Sequence, residues 1–310
     1  MTDRSLPLSQ ATKPLEKKIT RDLRERAIEV VLLLAAFSSV ATTIAIMVIL
    51  VTESLTLFKD VSIVEFLTSK DWAPLFEPPR YGILPLVSGT LVTSAVALTV
   101  AIPAGTIAAV FLSEFAAPKL REVVKPILEL LAGIPTVVYG YFALLFVTPL
   151  LQVVLPDLPG FNMLSPGLVM GVMITPLISS ISEDAMRAVP VELREGSYAM
   201  GATRFQTAWK VVFPTAISGV SAAYILGISR AVGETMIVAI AAGLQPIVTW
   251  NPLESAATIT TYIVQVSLGD LPHGTIGYQT IFAAGLTLVL LTLVFNIVGH
   301  FLSKRYRETY

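Results

Sequence analysis

Residues 190–216, PVELREGSYAMGATRFQTAWKVVFPTA, form a polar segment between two long apolar runs. The segment predicts a helical hairpin. Its first part, 192–199, favours helix, Pro190 stands just ahead of it, and Gly201 offers a place to turn. A second short helix is predicted over 203–212. The hairpin would form a small knob at one surface of a membrane.

One face of the second predicted helix is apolar, because its hydrophobic residues recur three and four positions apart. These residues are Phe205, Ala208, Trp209, Val212 and Phe213. A short helix pair moves as a rigid body and can transmit force when a partner grips it. An amphipathic loop lying on lipid headgroups is the alternative. The residues alone leave both interpretations open.

The composition indicates a polytopic membrane protein. Hydrophobic residues make up 54% of 310 positions and charged residues 14%, which is typical of a chain with several spanning helices. The formal net charge of -1 offers no general case for binding nucleic acid. Without cysteine, the chain has no disulfides, thiolate chemistry or cysteine-based metal sites. Its histidines, His273 and His300, stand on different segments, and no metal site is predicted.

Six apolar runs are predicted to span the membrane, giving an all-α fold. The first is too long for a signal peptide core and no small-residue cleavage site follows it, so we expect it to remain as a spanning helix. The fourth is the shortest. The runs are 28–58, 84–112, 127–155, 167–181, 216–244 and 279–302.

Basic residues orient these spans, because Lys and Arg are retained on the cytoplasmic side. Basic connections alternate with connections that are acidic or lack Lys and Arg, which predicts that both termini and the hairpin face the cytosol. The predicted regions are a cytoplasmic amphipathic tail (1–27), the first spanning helix (28–58), a periplasmic loop (59–83), a core permease domain (84–303) containing the loop 190–216, and a cytoplasmic tail (304–310).

Two outer loops have features of their own. Trp72 and the nearby prolines predict an ordered cap within 59–83. The loop 245–278 contains a moderately apolar stretch, 256–268, for which we predict a helix lying at the outer surface. Either loop offers a surface for a soluble substrate-delivering protein, or serves only as lid and packing surface.

The fifth predicted span contains two charged residues, Arg230 and Glu234. Arg230 lies roughly 24 Å along the helix axis from Pro214, and Glu234 would share its face at i+4. Each charge costs at least ~2.5 to 3.5 kcal/mol in a membrane, which favours a path lined by water or protein. The guanidinium suits a tetrahedral oxyanion because it donates two parallel hydrogen bonds. An intrahelical salt bridge is the structural alternative.

Other parts of the spans are unusual in their small residues. Gly219, Ala223 and Gly227, four apart, form a ridge that lets another helix approach closely. The run 133–140, GIPTVVYG, has two glycines and a proline, which free backbone carbonyls and permit a kink. It lines a translocation path or serves packing alone.

Three of these stretches together resemble the phosphate-specific ABC transporter permeases of the PstC type. The first is the run 133–140, and the third is the run RAVGET at 230–235. The second is the spacing within the hairpin, where Gly201 follows Glu195 by six positions and nine further residues separate Gly201 from VVFP. The resemblance extends from about residue 83 to the C-terminus. Gly196 and Ser197 replace two alanines typical of the family. Tyr139 and Met236 favour PstC over its sister permease PstA.

The resemblance implies a type I importer (MetI-like) fold in the bacterial inner membrane. It also implies a PstA-like second permease, a PstB-like ATPase dimer that binds ATP and Mg, and a PstS-like phosphate-binding protein, with no cofactor in this chain. The residues expected along the phosphate path are Arg230, Glu234, Ser229, Thr235, Tyr139 and Thr136. The residues expected to couple to the ATPase are Glu195, Gly196, Ser197, Gly201, Ala202, Thr203, Arg204, Phe205, Trp209 and Pro214.

The sequence favours this class over two others. No Gly-x-x-x-x-Gly-Lys-Ser/Thr phosphate cradle is present, so ATP would be hydrolysed by another chain. A secondary anion transporter would have inverted repeats, which the two halves lack. An intramembrane enzyme would need a nucleophile, base or metal constellation, which the two isolated histidines do not provide. A permease of another oxyanion importer, or PstA, remains the alternative.

Overall fold

The computed structural model describes residues 16–74, 76–270 and 274–305. The basic tail before Glu16, His273 and the last five residues lie outside this description. Contacts divide the chain into two units, residues 1–50 and 51–310. In the first unit the backbone is helical from Glu16 onwards, and every side chain from Arg24 to Ile49 is exposed. Such a surface suits lipid or another subunit.

Helices dominate the described residues, with a single two-stranded antiparallel hairpin. The elements are α1 (Glu16–Asp60), α2 (Ile63–Thr68), β1 (Trp72–Ala73), β2 (Arg80–Tyr81), α3 (Leu84–Val110), α4 (Pro118–Ala132), α5 (Thr136–Phe142), α6 (Thr148–Val154), α7 (Leu164–Arg187), α8 (Val191–Ala199), α9 (Arg204–Thr207), α10 (Phe213–Thr215), α11 (Ile217–Val232), α12 (Met236–Ala241), α13 (Ile259–Gln265) and α14 (Ile276–Arg305). Wide π-helical turns extend α3 (Phe111–Phe115), link α5 to α6 (Ala143–Val147), link α9 to α10 (Ala208–Val212) and follow α13 (Val266–Asp270).

Five of the described helical segments are long and apolar enough to cross a membrane. The number becomes six if the pair Arg204–Thr215 and Ile217–Val232, bent by 73°, counts as one span. This range confirms the prediction of an all-α polytopic protein. It also indicates that the fifth span differs from the other five.

The centre of the second unit is the packing of α3 against α7. A Cβ atom on Gly171 would lie 2.7 Å from the carbonyl oxygen of Ala97, and one on Gly105 would lie 2.7 Å from Cγ2 of Ile178. Because both positions are glycine, the two helices approach almost to backbone contact. The predicted ridge of small residues on α11 packs on the same helix: a Cβ on Gly219 would lie 2.4 Å from Cβ of Ala185.

The fourth predicted span, 167–181, was too short. Helix α7 runs from Leu164 to Arg187. Its last turns contain Ser179, Ser182 and Glu183, which are completely buried within the protein. Polar residues lower the mean hydropathy of a sequence window even when they are buried within the protein. The apolar run therefore ends before the helix does.

The third predicted span, 127–155, is wrong as a single helix. Helix α4 ends at Ala132, the chain turns at Gly133, and α5 begins at Thr136 with Pro135 as its N-cap. The membrane-spanning segment is Thr136–Val154. Pro135 lacks the N–H that a continuous helix requires, and Gly133 has little helix propensity. Because α3 and α7 continue through single prolines, Pro103 and Pro176, we attribute the interruption to the two residues together. Helix α4 is instead amphipathic and buries none of its residues.

The fifth predicted span, 216–244, is also interrupted. Helix α11 ends at Val232, residues 233–235 form a break, and α12 ends at Ala241. Glu234 therefore lies in the break and does not share a helical face with Arg230, contrary to the prediction from i+4 spacing. Gly233 allows the break because it has little helix propensity.

The predicted cap around Trp72 is ordered, and Trp72 packs edge-on against Tyr262 with ring centroids 4.8 Å apart. The helix predicted at the surface over 256–268 is shorter and lies inside. It begins at Ile259, and its first turn is buried against α3 and α14. The amide of Ile259 donates to Oγ1 of Thr90 at 3.1 Å. Hydroxyl groups of threonines near this contact form hydrogen bonds with buried backbone groups. A hydropathy profile does not reveal such contacts, so the burial of this helix could not be predicted from it.

Candidate functional site

The hairpin predicted from residues 190–216 is present. Its first arm is α8 (Val191–Ala199), and Gly201 makes the turn with a φ of 81°, a conformation that favours glycine. Thr203 then caps α9 through a reciprocal capping box with Gln206. The predicted start of the second arm is thus confirmed, although the helical path continues to Thr215, beyond the predicted end at 212.

The apolar face of the second arm divides into two parts. Ala208 and Val212 are buried in a cluster with residues of α3 and α7. Phe205, Trp209 and Phe213 form an aromatic row, with consecutive centroids 6.4 and 5.2 Å apart. Phe205 is 63% exposed and Trp209 37% exposed. One edge of the arm therefore anchors the hairpin, and the other presents aromatic surface.

The remaining residues of the predicted coupling set lie mostly on the outside of the hairpin. Ser197 and Ala202 are partly buried. A Cβ atom on Gly196 or Gly201 would meet no atom within 4 Å, so space around both glycines is open in this chain. The exposed members are Glu195, Gly196, Gly201, Thr203, Arg204, Phe205, Trp209 and Pro214.

An ion pair that the sequence interpretation missed joins the hairpin to α3. Arg194 donates from Nη2 to Oε1 of Glu114 at 3.0 Å and from Nε to Oε2 at 3.3 Å. The Glu114 side chain is 6% exposed. The two residues are 80 positions apart, and no short-range pattern connects them. The only signal was a carboxylate near the end of an apolar run.

A second missed charge cluster surrounds Glu183, which is completely buried. Nζ of Lys125 lies 2.8 Å from its Oε2 and 2.7 Å from Oδ1 of Asp184. The guanidinium groups of Arg121 and Arg187 lie 3.7 and 3.6 Å from Oε1 of Glu183. Burial alone would lower the pKa of Lys125, but hydrogen bonds to Asp184 and Glu183 raise it above the ordinary value. The cluster fastens amphipathic α4 to α7.

Arg230 is exposed in the last turn of α11. Its Nη2 lies 3.9 Å from Sδ of Met173 on α7. Among the side chains that the structure describes, no carboxylate lies within 4 Å of this guanidinium, and the salt bridge to Glu234 offered as the structural alternative is not formed. The charge is thus free to meet an external anion in this conformation.

Glu234 serves the backbone beyond the break. Its Oε1 accepts hydrogen bonds from the amides of Met236 and Ile237 at 3.2 and 3.4 Å, which satisfies two unpaired donors at the start of α12. Its own carbonyl accepts from Oγ1 of Thr260 at 2.8 Å. The residue is only 9% exposed. Its carboxylate therefore has a structural task in addition to any role toward substrate.

Two further residues of the predicted path stand near this break. Ser229 donates to Oδ1 of Asn296 on α14 at 3.4 Å. Thr235 is partly buried and donates to the carbonyl of Gly233 at 3.4 Å. Both side chains lie near the junction where α11 ends, close in sequence to Arg230, and their part in a phosphate path stays a prediction.

Tyr139 and Thr136 lie at the other break. The hydroxyl of Tyr139 donates to the carbonyl of Leu131 at 2.8 Å, so it satisfies an acceptor at the end of α4. Thr136 is the first residue of α5 and is partly buried. A Cβ atom on Gly140 would lie 2.8 Å from Cδ1 of Ile240, which brings α5 into close contact with α12.

The predicted residues thus form two groups. Tyr139 belongs to the same buried cluster as Ala231 and Ile237, so the two helix breaks pack around α7. The hairpin residues are assembled elsewhere, at the end of α7 and α3. Within the described ranges, no group of three or more His, Asp or Glu side chains is arranged to hold a metal ion.

Comparison with known proteins agrees with this architecture. The family described as binding-protein-dependent transport system inner membrane component matches residues 101–308. The probable ABC transporter permease protein YqgH of Bacillus subtilis is 35% identical over 300 residues, covering 96% of this chain and 97% of that protein. The phosphate transport system permease protein PstC 1 of Mycobacterium tuberculosis is 35% identical over 252 residues, covering 74% of each.

Solved structures share the fold at lower identity. A bacterial alginate ABC transporter in complex with a pentasaccharide-bound periplasmic protein superposes with a TM-score of 0.64 at 19% identity, covering 95% of this chain and 99% of that one. An inward-facing MetNI methionine ABC transporter gives a TM-score of 0.53 at 21% identity, covering 73% and 95%.

The helical breaks, the bent fifth span and the hairpin define a permease with the type I ABC importer (MetI-like) fold. The chain belongs to the family of binding-protein-dependent transport system inner membrane components. It is a multi-pass inner-membrane protein and a non-catalytic permease subunit of an ABC importer. Membership implies an ATPase and a substrate-binding protein as partners.

Proposed function

We propose that this chain is the PstC-type permease of an ATP-driven phosphate importer and forms half of the phosphate pathway. The other half would come from a PstA-like permease, and a PstS-like protein would deliver phosphate from outside. A PstB-like ATPase dimer would bind ATP and Mg on the cytoplasmic side, where both termini of this chain would lie. One observation carries the proposal: Arg230 is an exposed, unpaired guanidinium beside a break in a membrane helix.

The chemistry of Arg230 suits an oxyanion. A guanidinium donates two hydrogen bonds in a fixed plane and matches two oxygens of a tetrahedral anion. Among the residues that the structure describes, its one hydrogen-bonding contact is with Sδ of Met173 at 3.9 Å, which is weak and easily replaced. Because Glu234 is held by the amides of α12, the arginine is not neutralised by it. Arg230 would therefore bind the anion transiently as it passes.

Relatives support phosphate as the anion. Proteins named as phosphate transport system permeases include those of Mycobacterium tuberculosis, at 35% identity, and of Xylella fastidiosa, at 32% over 78% of this chain. The Bacillus subtilis relative is named only as a probable ABC transporter permease. The substrate therefore rests on the PstC relatives together with the chemistry of Arg230.

The hairpin would couple ATP hydrolysis to transport. It presents the aromatic row Phe205, Trp209 and Phe213 beside the open turn at Gly201, while Ala208 and Val212 are anchored in the core. An ATPase that grips the exposed side would move the ends of α3 and α7 with it. Rocking of these helices would expose the pathway alternately to the two sides of the membrane.

Uptake of radiolabelled phosphate into cells that lack their own phosphate importers tests the proposal. Expression of this chain with its partner subunits should support uptake, and Arg230→Ala should reduce it by about tenfold or more because a charge-assisted contact is lost. Arg230→Lys should retain part of it, since the charge remains but the planar fork does not. Lys59→Ala, an exposed basic residue at the end of α1, provides the control.

Other outcomes would redirect the assignment. If Arg230→Ala transports phosphate as well as the unchanged protein, the anion contact is wrong. If the complex imports sulfate but not phosphate, the chain serves another oxyanion importer. Phosphate uptake by this chain alone, driven by a proton gradient without an ATPase, would favour a secondary carrier.

A further inference from the structure

A single guanidinium connects three elements at the base of the hairpin. Arg194 in α8 donates two hydrogen bonds to the carboxylate of Glu114 in the turn that ends α3, at 3.0 and 3.3 Å. It also donates to the carbonyls of Met186 and Val189, at 2.8 and 2.6 Å. These carbonyls stand at the end of α7 and just beyond it. We call these four residues the Arg194 clamp.

The clamp is largely removed from water. The Arg194 side chain is 17% exposed and that of Glu114 is 6% exposed. Oε1 of Glu114 also accepts from the hydroxyl of Ser113 at 2.8 Å. A buried pair of this kind does not by itself imply greater stability, because desolvation offsets the attraction. What the fork does provide is orientation, since planar bidentate contacts fix both partners.

The two arms of the hairpin are attached in different ways. The second arm is held by apolar packing of Ala208 and Val212. The first arm, α8, has no buried residue, and Leu193 is only partly buried against the same cluster. The hydrogen bond between Ser197 and Thr207 ties the first arm to the second, whereas the polar contacts of Arg194 tie it directly to the ends of α3 and α7.

We infer that Arg194 and Glu114 are positioning residues that make the first arm of the hairpin move together with the ends of α3 and α7. This inference rests on the proposed function, in which an ATPase grips the hairpin. The side chains of both residues face the protein interior, whereas the exposed hairpin residues remain available to the partner. Loss of the clamp would leave the ATPase bound but weaken the transmission of its movement to the helices.

The test uses the complete importer, purified and reconstituted in proteoliposomes with its binding protein and phosphate. Glu114→Gln keeps the size of the side chain and removes its charge. We expect the ATPase to co-purify and basal hydrolysis to continue. Stimulation of hydrolysis by loaded binding protein, and phosphate uptake with it, should fall by about fivefold or more, as expected for the loss of a coupling interaction.

Two further variants separate coupling from folding. Arg194→Lys keeps the charge but cannot form the fork or reach all four acceptors, so it should show the same loss of stimulation. Glu192→Gln removes an exposed charge from the same helix and should behave like the unchanged complex. Unaltered stimulation and uptake in both Glu114→Gln and Arg194→Lys would overturn the inference.

A reversible tether provides the decisive control, because the chain has no cysteine of its own. In the double variant Glu114→Cys with Arg194→Cys, a short bifunctional thiosulfonate, which joins both thiols through disulfide bonds with release of sulfinate, should restore stimulation, and a thiol reductant that cleaves those disulfides should abolish it again. Failure of the tether to restore stimulation in an assembled complex would contradict the inference. If the importer containing Glu114→Gln does not assemble, the result with the tethered double variant tests the inference in its place. Absence of the ATPase from the unchanged complex would instead contradict the proposed function.

Discussion

The hydroxyl oxygen of Ser197 lies 2.9 Å from that of Thr207, so a hydrogen bond joins the two arms of the hairpin. Thr207 is completely buried, and its amide already donates to the carbonyl of Thr203. The neighbouring Gly196 faces open space. The two small residues that follow Glu195, Gly196 and Ser197, are therefore not equivalent. One holds the arms together, and the other only lowers helix propensity.

Ser197→Ala should loosen the hairpin, because it leaves the buried hydroxyl of Thr207 without this partner at a cost of ~1–3 kcal/mol. Gly196→Ala should tighten it by ~0.5–1 kcal/mol, since alanine favours helix and meets no neighbour. Hydrogen exchange of amides in residues 191–207 measures both effects. Equal protection in the two variants would contradict the distinction.

The side of the membrane on which the hairpin lies can be tested with single cysteines in a chain that has none. We expect Arg204→Cys to resist a membrane-impermeant thiol reagent in intact cells and to react after lysis. Asn251→Cys, in the loop at the other end of α11 and α12, should react in intact cells. Labelling of Arg204→Cys from outside would contradict the cytosolic placement and, with it, the proposed contact with an ATPase.

Substitutions of Glu234 should distinguish its role as a helix cap from the role of its negative charge in transport. Glu234→Gln keeps an oxygen that accepts from the amides of Met236 and Ile237, whereas Glu234→Ala removes it. The alanine variant should therefore be less stable than the glutamine variant by about 1 kcal/mol, a typical value for a lost helix cap. Thermal unfolding in detergent compares their stability. If phosphate uptake falls equally in both variants, the charge matters for transport; if only the alanine variant loses uptake, the cap alone matters.

Gly89 should not tolerate a side chain. A Cβ atom there would lie 2.2 Å from the carbonyl oxygen of Ala257, and backbone cannot move aside as a flexible side chain can. We expect Gly89→Ala to destabilise the protein by ~1–3 kcal/mol or more, as overpacking does. Gly160→Ala, where no atom lies within 4 Å, is the matched control. Equal melting temperatures for the two variants would show that the loop at Ala257 yields easily.

Lys125→Gln should reduce the stability of the unit that contains α4 and α7, because it removes two ion pairs from Glu183 and Asp184. The loss should be about 1.5–3 kcal/mol, as for hydrogen bonds to charged groups. The pKa of Lys125 is raised above its ordinary value of 10.5, so this contribution is complete below that pH and is lost as pH rises through the raised pKa. The gap in melting temperature should thus be the same at pH 7 and pH 9.

A marked narrowing of that gap between the two pH values would contradict the direction of the shift. Arg187, which is 46% exposed, also approaches Glu183 but at a longer distance. Arg187→Gln should therefore have a smaller effect than Lys125→Gln.

The sequence by itself determined the class of this protein and the hairpin. Long apolar runs have few alternatives to membrane helices, because unpaired backbone groups are costly in lipid. The turn at Gly201 and the start of the second arm at Thr203 depend on residues a few positions apart, so both could be predicted from the sequence. The capping box at Thr203 was seen only in the structure. Ser229, Arg230 and Thr235 are also close in sequence, so their common location near one helix end could be predicted in the same way.

Only the tertiary structure decided where the helices break and which charges meet. Hydropathy is continuous across Gly133 and Gly233. The sequence therefore indicated a possible kink within 133–140 but not a complete break, and it gave no sign of the break at Gly233 or of the true place of Glu234. Glu114 and Arg194 are 80 positions apart. Their pairing exists because α3 and α7 end close to where α8 begins, which depends on close helix packing at glycines such as Gly105 and Gly171. Contacts between distant segments leave no periodic signal in a single sequence.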